Sequence, residues 1–301
     1  MNLIPEDLKQ SINRLGGGRG SRWLDSLPAV IRDLEELWSI RQVVPLEKQS
    51  YSFTSICTLV DGSPGFLKIG FPSEEEVIAK EAAILRLYGE DLAPKVYGHD
   101  PDREALLLER LDPGTTLFLE CRSDPTRAVR EAIEVLRRIP RALPDGIEIP
   151  ALEEWFTIYE ARTSQIVPED VLGNARRLLQ DLELGGDVLL HGDFHHGNIL
   201  SAGEGFKVID PKGARGAMAY EAAVFLNEHN RLYFKRPDAC EQILHTVDAF
   251  ADELGLSKEH MLGWALCQSV QCMCWDAEDF GEYNEIDLSV ASRWLEMIGQ
   301  H

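Results

Sequence analysis

The apolar pattern of this chain changes once, near residue 111, and that change limits the folds open to it. Before that point, short apolar and β-branched runs alternate with turn residues, such as the D-G-S-P-G turn at 61–65. Runs of this kind predict β-strands, here at 54–60, 66–69, 95–97 and 105–108. Beyond residue 111, apolar residues recur mostly at helical spacing. The sequence therefore predicts a strand-rich part followed by a helical part, an α+β organisation.

The length of the chain favours a division at the same place. Its 301 residues exceed what one compact core usually holds. We predict two domains, residues 1–111 and 112–301, the first carrying a helical extension at 1–41. The glycine run at 16–20 lacks the Lys-Ser/Thr of a phosphate loop and follows no strand. We therefore interpret it as a flexible connector between two helices, at 5–13 and 28–40.

One further helix belongs to the first domain. Ser73 is a suitable N-cap and Glu76 completes a capping box, so this helix is predicted to run from 73 to about 88. In the second domain, two short apolar runs at 188–190 and 206–209 interrupt a series of helices. These helices are predicted at about 123–139, 151–166, 169–183, 218–229, 237–254, 257–279 and 286–298.

The net charge of the chain is strongly negative, because 51 acidic side chains outnumber 30 basic ones to give −21. A surface of this sign repels nucleic acid and attracts small cations. No run approaches the roughly 18 apolar residues of a membrane span, and residues 1–7 lack the features of a secretory signal. We therefore expect a cytoplasmic protein without nucleic-acid or membrane partners. The six cysteines form no C-x-x-C pair, which argues against a structural zinc site.

The segment at 189–200 concentrates polar groups between apolar ends and reads L-L-H-G-D-F-H-H-G-N-I-L. Three interpretations compete for it. It could be a hydrogen-bonded turn; it could be a metal hydrolase site, since His191, Asp193, His195 and His196 are all potential ligands; or it could be a phosphotransferase loop. The third interpretation rests on the spacing of five from Asp193 to Asn198, which is that of the H-R-D-L-x-x-x-N loop of kinases.

Two further observations favour the phosphotransferase interpretation. Asp210 follows the apolar run at 206–209, twelve residues after Asn198, where a second magnesium ligand of a kinase belongs. In the first domain, Glu81 falls within the apolar stripe of its predicted helix and needs a cation. Lys68, on the preceding strand, is the nearest candidate, and a strand lysine paired with a glutamate of the following helix grips nucleotide phosphates in kinases.

These residues resemble the aminoglycoside phosphotransferase family, and within it the branch of streptomycin 6-kinases and hydroxyurea kinases. Residues 191–200 are similar to the H-G-D-L-H-H-G-N-I-L of that branch, and residues 209–213, I-D-P-K-G, match its second motif. The resemblance implies a two-lobed protein-kinase-like fold, with a small antiparallel sheet and one key helix in the first lobe and a large helical second lobe. It also implies that the distant motifs converge on a cleft between the lobes.

The same resemblance implies a role for each matching residue. Asp193 would orient or deprotonate the acceptor hydroxyl, and Asn198 and Asp210 would hold Mg²⁺. Lys68, positioned by Glu81, would contact the phosphates of ATP, and the hinge from Glu109 to Leu111 would bind adenine through its backbone. No G-x-G-x-x-G is present, so the candidates for further phosphate contacts are hydroxyls of the Ser/Thr-rich stretch near 50–58, namely Ser52, Thr54 and Ser55. Lys212 could contact phosphate or pair with an acid such as Glu221.

The acceptor would then lie in the second lobe, facing Asp193. Aromatic and acidic residues cluster at the end of the helix predicted at 257–279, and the candidates for cation binding there are Trp275, Glu278, Asp279 and Glu282, followed by Asn227 and Glu228 on an earlier helix. The expected acceptor is an aminoglycoside such as streptomycin. A metabolic alcohol, a sugar, a hydroxyurea-like compound, and a nucleotide-binding module without catalysis are the alternatives. The sequence leaves the acceptor, the choice between ATP and GTP, and the oligomeric state open.

Overall fold

The computed structural model describes residues 4–49, 51–72 and 77–299. The chain divides into two compact units, Met1–Gly114 and Thr115–His301, whereas the predicted boundary lies between 111 and 112. Among the described residues, no helix is long and apolar enough to cross a membrane.

Unit 1 is an antiparallel sheet with a helix on each side. Its elements are α1 (Glu6–Trp38), β1 (Arg41–Pro45), β2 (Ser52–Thr58), β3 (Pro64–Gly70), α2 (Val77–Tyr88), β4 (Val96–Asp100) and β5 (Ala105–Glu109). The five strands lie in the order β1-β2-β3-β5-β4, with every neighbouring pair antiparallel. The side chains of successive residues alternate between the two faces of such a sheet. One face, which includes Phe53, Leu67 and Leu107, is buried against α1.

The first helix differs from its prediction. Residues 6–38 form one helical element, yet a Cβ on Gly20 would lie 2.5 Å from the carbonyl oxygen of Ile12, and Ser21 Oγ donates to Asn13 Oδ1 at 3.1 Å. Residues eight apart would be about 12 Å apart along a straight helix. The helix therefore bends back sharply through the glycine run, which is helical in the structure and not the predicted flexible connector. Glycine suits this position because any side chain on Gly20 would collide with Ile12.

The second helix carries the predicted apolar stripe. Ile78, Glu81, Leu85 and Tyr88 are all buried. Its predicted N-cap and capping box, Ser73 and Glu76, lie outside the described residues.

Unit 2 is mainly helical. The strand β6 (Pro113–Thr116) spans the boundary between the units, and the elements that follow are α3 (Leu117–Glu120), α4 (Pro125–Arg138), α5 (Leu152–Trp155), α6 (Glu169–Asp181), β7 (Leu189–Leu190), β8 (Ile199–Ala202), β9 (Gly205–Val208), β10 (Ala214–Arg215), α7 (Met218–Tyr233), α8 (Ala239–Leu254), α9 (Lys258–Phe280) and α10 (Glu285–Ile298). The long helix α9 packs against α6, α7 and α10.

The helix predicted at 151–166 is wrong. Only α5 is α-helical there, and two short 3₁₀ helices follow it, Phe156–Glu160 and Arg162–Ile166. Tertiary contacts explain the break: the Tyr159 hydroxyl donates to the carbonyl oxygen of Cys267 on α9, and Ser164 Oγ donates to the carbonyl oxygen of Tyr159. The first bond holds the segment against α9, and the second fixes the turn between the two 3₁₀ helices.

Candidate active site

The loop at 191–198 connects β7 to β8 and is fixed at its start by His191. This side chain is fully buried. The backbone N–H of Asp193 donates to its Nδ1 at 3.2 Å, so the proton lies on Nε2, which donates to the carbonyl oxygen of Ile209 at 3.0 Å. Burial lowers the pKa of His191 to about 4, which keeps the ring neutral. His191 thus ties the backbone of Asp193 to the segment that carries Asp210.

A buried carboxylate anchors the next residue of the loop. Glu221, on α7, is fully buried, and its Oε1 accepts a hydrogen bond from the backbone N–H of Gly192 at 2.9 Å. Gly192 has φ +79°, and a Cβ there would lie 2.7 Å from the Trp155 ring. The turn therefore requires glycine. The predicted alternative in which Glu221 pairs with Lys212 is not formed, because the Lys212 ammonium lies against Asp193 instead.

Asp193 lies among three side chains that favour its ionised form. Asn198 Nδ2 donates to its Oδ2 at 3.2 Å, His195 Nε2 lies 3.7 Å from Oδ2, and Lys212 Nζ lies 3.5 Å from Oδ1. Burial raises the pKa of Asp193, but Lys212 and His195 outweigh it and hold that pKa well below its usual range. A carboxylate kept ionised in this way can accept a hydrogen bond, or a proton during reaction, from a hydroxyl.

The strands β8 and β9 bring the two predicted metal ligands to one place. They pair as an antiparallel hairpin with Ile199 opposite Val208, and the backbone N–H of Ile209 donates to the carbonyl oxygen of Asn198 at 3.0 Å. Asn198 and Asp210 therefore lie at the same end of the hairpin. Asp210 is exposed and has φ +57°, a left-handed conformation that aspartate tolerates better than most residues.

The predicted metal hydrolase site is not formed. His191 is committed to backbone groups, and His196 is fully buried, stacked on Phe225 and bonded through Nε2 to His229 Nδ1 at 3.1 Å. His195 lies beside Asp193 instead. Within the described part of the chain, no group of three or more His, Cys, Asp or Glu residues could hold a metal ion.

Unit 1 contains the predicted lysine–glutamate pair. Lys68 Nζ lies 2.7 Å from Glu81 Oε2, and the two side chains are 9% and 3% exposed. The pair links β3 to α2 on the sheet face opposite α1. A buried ion pair with this geometry holds the lysine ammonium in a fixed position.

The strand register determines which face of the sheet each of the three predicted hydroxyl residues occupies. Thr54 lies directly opposite Lys68, so Thr54 and Ser52 share the face of Lys68. Ser55 pairs with Leu67, and its fully buried side chain faces α1. The prediction that Ser55 binds phosphate alongside Lys68 is therefore wrong, because strand alternation places its hydroxyl on the other side of the sheet.

The predicted adenine-binding residues lie at the end of unit 1. Glu109 is the last residue of β5; its backbone N–H donates to the carbonyl oxygen of Lys95 at 2.8 Å, and its Oε2 accepts from the N–H of Lys95 at 3.1 Å. Leu111 is buried. Among the described residues, no hydrogen bond uses the backbone N–H of Leu111.

The two weaker acceptor candidates on α7 have different surroundings. Asn227 is buried; its Nδ2 donates to the carbonyl oxygen of Ala265, and its Oδ1 accepts from Ser269 Oγ and Trp294 Nε1. Its amide joins α7 to α9 and α10, so it does not remain a candidate for substrate binding. Glu228 is partly exposed and pairs with Arg231 at 2.9 Å, and its charge contributes to raising the pKa of His195 beside Asp193.

The acidic end of α9 is only partly close to the loop. Trp275 packs edge-to-face on Trp155 and lies under the Lys212 ammonium, 5.4 Å from the ring centroid. Glu278, Asp279 and Glu282 are exposed. Partial burial and the neighbouring Glu278 raise the pKa of Asp279. The structure thus joins Trp275 to Asp193 through Lys212 and provides no such link for the three carboxylates.

Sequence reasoning missed Glu221 as an anchor of the catalytic loop and Asp287 as a buried acid near Glu228. Glu221 is surrounded by apolar residues in the run A-Y-E-A-A-V-F-L at 219–226, the same signal that identified Glu81. Asp287 is 4% exposed and binds Arg231. No sequence signal predicted this pair, because it joins residues that are 56 positions apart.

The burial of Glu221 predicts that the stability of the protein depends on pH. Burial raises its pKa to about 7 from an ordinary 4.5, so between these values the folded state binds the extra proton. Stability from this group is complete below about pH 4.5 and is lost as the pH rises through 7. We expect the unfolding free energy of Glu221→Gln, relative to the wild type, to increase between pH 5 and 7.5 by about 2 kcal/mol. Urea titrations at both pH values measure it, and a constant difference would contradict the prediction.

Comparisons with known proteins show which family the sequence matches. A family model described as aminoglycoside/hydroxyurea antibiotic resistance kinase matches residues 38–280. The chain is 27% identical over 288 residues to streptomycin 6-kinase of Streptomyces griseus, covering 92% of this chain and 91% of that protein. It is 28% identical over 286 residues to hydroxyurea phosphotransferase of Kitasatospora aureofaciens, covering 92% and 81%.

Solved structures give the same fold. Choline kinase LicA from Streptococcus pneumoniae has a TM-score of 0.65 at 15% identity, covering 92% of this chain and all (100%) of that chain. Aminoglycoside phosphotransferase APH(4)-Ia, in a ternary complex with ADP and hygromycin B, has a TM-score of 0.64 at 12% identity, covering 89% and 97%. The predicted α+β, protein-kinase-like fold is confirmed. Since the family model spans most of the sequence, the chain belongs to the aminoglycoside/hydroxyurea antibiotic resistance kinase family and is a phosphotransferase.

Proposed function

We propose that this phosphotransferase transfers the γ-phosphoryl group of ATP to a hydroxyl of a small cationic aminoglycoside such as streptomycin, with Asp193 as the catalytic carboxylate. The observation that carries the proposal is the position of Asp193. Its carboxylate is ionised and hydrogen-bonded to Asn198, at the end of the hairpin that also bears Asp210. Phosphoryl transfer needs little more from a protein than positioning and neutralisation of charge.

The residues fit a magnesium ion. Asn198 uses its amide nitrogen to donate to Asp193, and no hydrogen bond among the described residues engages its Oδ1. Asp210 offers a carboxylate from the same hairpin end. One or two such oxygen ligands, completed by phosphate oxygens, suit Mg²⁺. When bound, the metal would neutralise charge on the triphosphate.

Each of the other site residues then has a separate role in binding or catalysis. Asp193 accepts the hydrogen bond of the acceptor hydroxyl and takes its proton as the new oxygen–phosphorus bond forms. Lys68, held by Glu81, contacts the α- and β-phosphates. Thr54 and Ser52 lie on the face of Lys68 and can donate to phosphate oxygens. The backbone of the 109–111 segment, with the N–H of Leu111, receives adenine.

A cationic acceptor is favoured by the charge of the chain and by an acidic residue near the loop. The net charge is −21, and Glu228, on α7, lies close enough to His195 for its charge to raise the pKa of that ring. Two of the relatives are a streptomycin 6-kinase and a hydroxyurea phosphotransferase, 27% and 28% identical to this chain. Hydroxyurea is uncharged at neutral pH, so the acidic surroundings favour the aminoglycoside.

An acceptor panel tests the proposal. Purified protein is incubated with Mg²⁺ and either ATP or GTP, and with streptomycin, hygromycin B or hydroxyurea. ADP release and the mass of the acceptor are measured. We expect phosphorylated streptomycin with ATP, and loss of product on adding EDTA. Phosphorylation of hydroxyurea alone, or of no compound in the panel, would contradict the proposed acceptor.

Glu228 gives a more specific expectation. A carboxylate that binds a cationic group of the acceptor contributes a charge-assisted hydrogen bond, so Glu228→Gln should raise KM for streptomycin about tenfold. KM for ATP should stay within a factor of about two. Glu241→Gln, at an exposed position on α8, is the matched control and should change neither constant. An unchanged KM for streptomycin in the Glu228 variant would remove this residue from the acceptor site.

A further inference from the structure

Three separate elements of unit 2 meet at the side chain of Lys212, which the mechanism above does not use. Lys212 lies in the segment that follows Asp210; its Nζ lies 3.5 Å from Asp193 Oδ1 in the loop and 5.4 Å from the centroid of the Trp275 ring on α9. A carboxylate and an aromatic face both attract an ammonium group. The side chain is nevertheless 48% exposed. The ammonium is thus held in place and still open to an incoming molecule.

The two oxygens of Asp193 are not equivalent. Oδ2 accepts a hydrogen bond from Asn198 Nδ2 at 3.2 Å and has His195 Nε2 at 3.7 Å. Oδ1 has Lys212 Nζ at 3.5 Å, beyond the distance of a strong hydrogen bond. Oδ1 therefore accepts no strong hydrogen bond from Lys212 and can accept one from an acceptor hydroxyl. A hydroxyl oxygen that donates to Oδ1 would lie about 2.7 Å from it. Since Nζ lies 3.5 Å from the same Oδ1, the hydroxyl oxygen and Nζ would be at most roughly 6 Å apart.

The pair with Asp193 is partly exposed, at 48% for the lysine and 24% for the aspartate, and such pairs add only modestly to folding. The alternative structural partner, Glu221, is bonded through Oε1 to the backbone N–H of Gly192, and Lys212 lies against Asp193 instead. What the placement does provide is a fixed positive charge next to the position of the reacting oxygen.

We infer that Lys212 is a catalytic residue whose ammonium contacts the transferred phosphoryl group beside Asp193 and stabilises its negative charge in the transition state. The inference rests on the proposed function. In the step, the acceptor hydroxyl gives its proton to Asp193, its oxygen bonds to the γ-phosphorus, and the bond from that phosphorus to the bridging oxygen breaks with its electron pair leaving on ADP. Lys212 neither gives nor receives a proton. A charge already in place needs no reorganisation during the step.

Substitutions at Lys212 separate this role from nucleotide binding. Lys212→Met keeps the length of the side chain and removes the charge, and we expect kcat to fall roughly 10²-fold. The affinity for ATP, measured by calorimetry without acceptor, should stay within about threefold, and so should KM for the acceptor. Lys212→Arg should retain at least tenfold more activity than Lys212→Met. In Lys212→Ala, added ethylammonium should restore part of kcat.

The controls make each outcome decisive. Lys235→Met, at an exposed lysine of the same unit, should behave as wild type. A kcat within twofold of wild type in Lys212→Met would overturn the inference, and so would a loss of ATP affinity that matches the loss of activity. Thermal unfolding checks folding, and Lys212→Gln is the second neutral variant. If the wild type phosphorylates no acceptor, the proposed function fails. The role of Lys212 can then still be tested by ATP hydrolysis, in which water is the acceptor. Equal hydrolysis rates in the wild type and in Lys212→Met would overturn the inference about Lys212.

Discussion

Replacing Asp193 by asparagine is expected to lower kcat by about 10³-fold while ATP continues to bind. The amide has the shape of the carboxylate, so the loop should keep its fold, which the backbone bonds of His191 and Glu221 maintain. The asparagine amide cannot take a proton from the acceptor hydroxyl. The substitution also removes the negative charge that lies beside Lys212 and His195. Steady-state kinetics with the acceptor and calorimetric titration with ATP measure the two effects separately.

A matched aspartate provides the control for this substitution. Asp181→Asn changes an exposed residue at the end of α6 in the same unit and should leave both kcat and ATP affinity unchanged. A value of kcat for Asp193→Asn within tenfold of the wild type would show that another group accepts the proton. Loss of ATP binding would instead mean that the carboxylate acts on the nucleotide.

Replacing Lys68 by methionine should affect both stability and activity. The ammonium lies 2.7 Å from Glu81, and both side chains are almost fully buried, so Glu81 loses a cation that offsets the cost of burying its charge. Breaking a buried pair from one side costs about 3 kcal/mol, which urea unfolding should detect. Loss of the phosphate contact should lower kcat/KM for ATP by about 10³-fold.

A double variant distinguishes the two effects. Lys68→Met with Glu81→Leu removes both charges of this pair, and replacing a buried ion pair by apolar side chains is often close to neutral for stability. We therefore expect most of the lost stability to return while activity remains low. Lys80→Met, on the same helix, is the single-site control. Recovery of activity together with stability in the double variant would mean that Lys68 has only a structural role.

The sequence predicted the parts of the fold that local patterns determine. Strand and turn chemistry identified the hairpin from Ser52 to Gly70, and helical periodicity placed Glu81 in the buried stripe that meets Lys68. The hairpin depends on pairing across one turn, and the buried stripe depends on spacing within one helix, so both follow from local sequence. Burial of a charged residue in an apolar stripe is costly enough to be visible without a structure.

The predictions that failed depend on contacts between distant segments. The bend in α1 follows from packing of Gly20 against Ile12 and of the helix on the sheet, whereas composition alone predicted a flexible connector. Ser55 was grouped with Thr54 by composition, although one residue of register decides which face a side chain takes. The hydrogen bonds of Asn227 to α9 and α10 depend on helix packing that periodicity does not specify.

The hairpin of β8 and β9 determines where this chain tolerates a change in length. Asn198 and Asp210 are neighbours because of cross-strand pairing, so the number of residues between them is not itself constrained. Gly203 and Glu204, at the far end of the hairpin, are exposed. Residues added there would lengthen only the tip, at a small entropic cost. One residue inserted inside either strand would instead rotate the following side chains to the opposite side and separate the two oxygen donors.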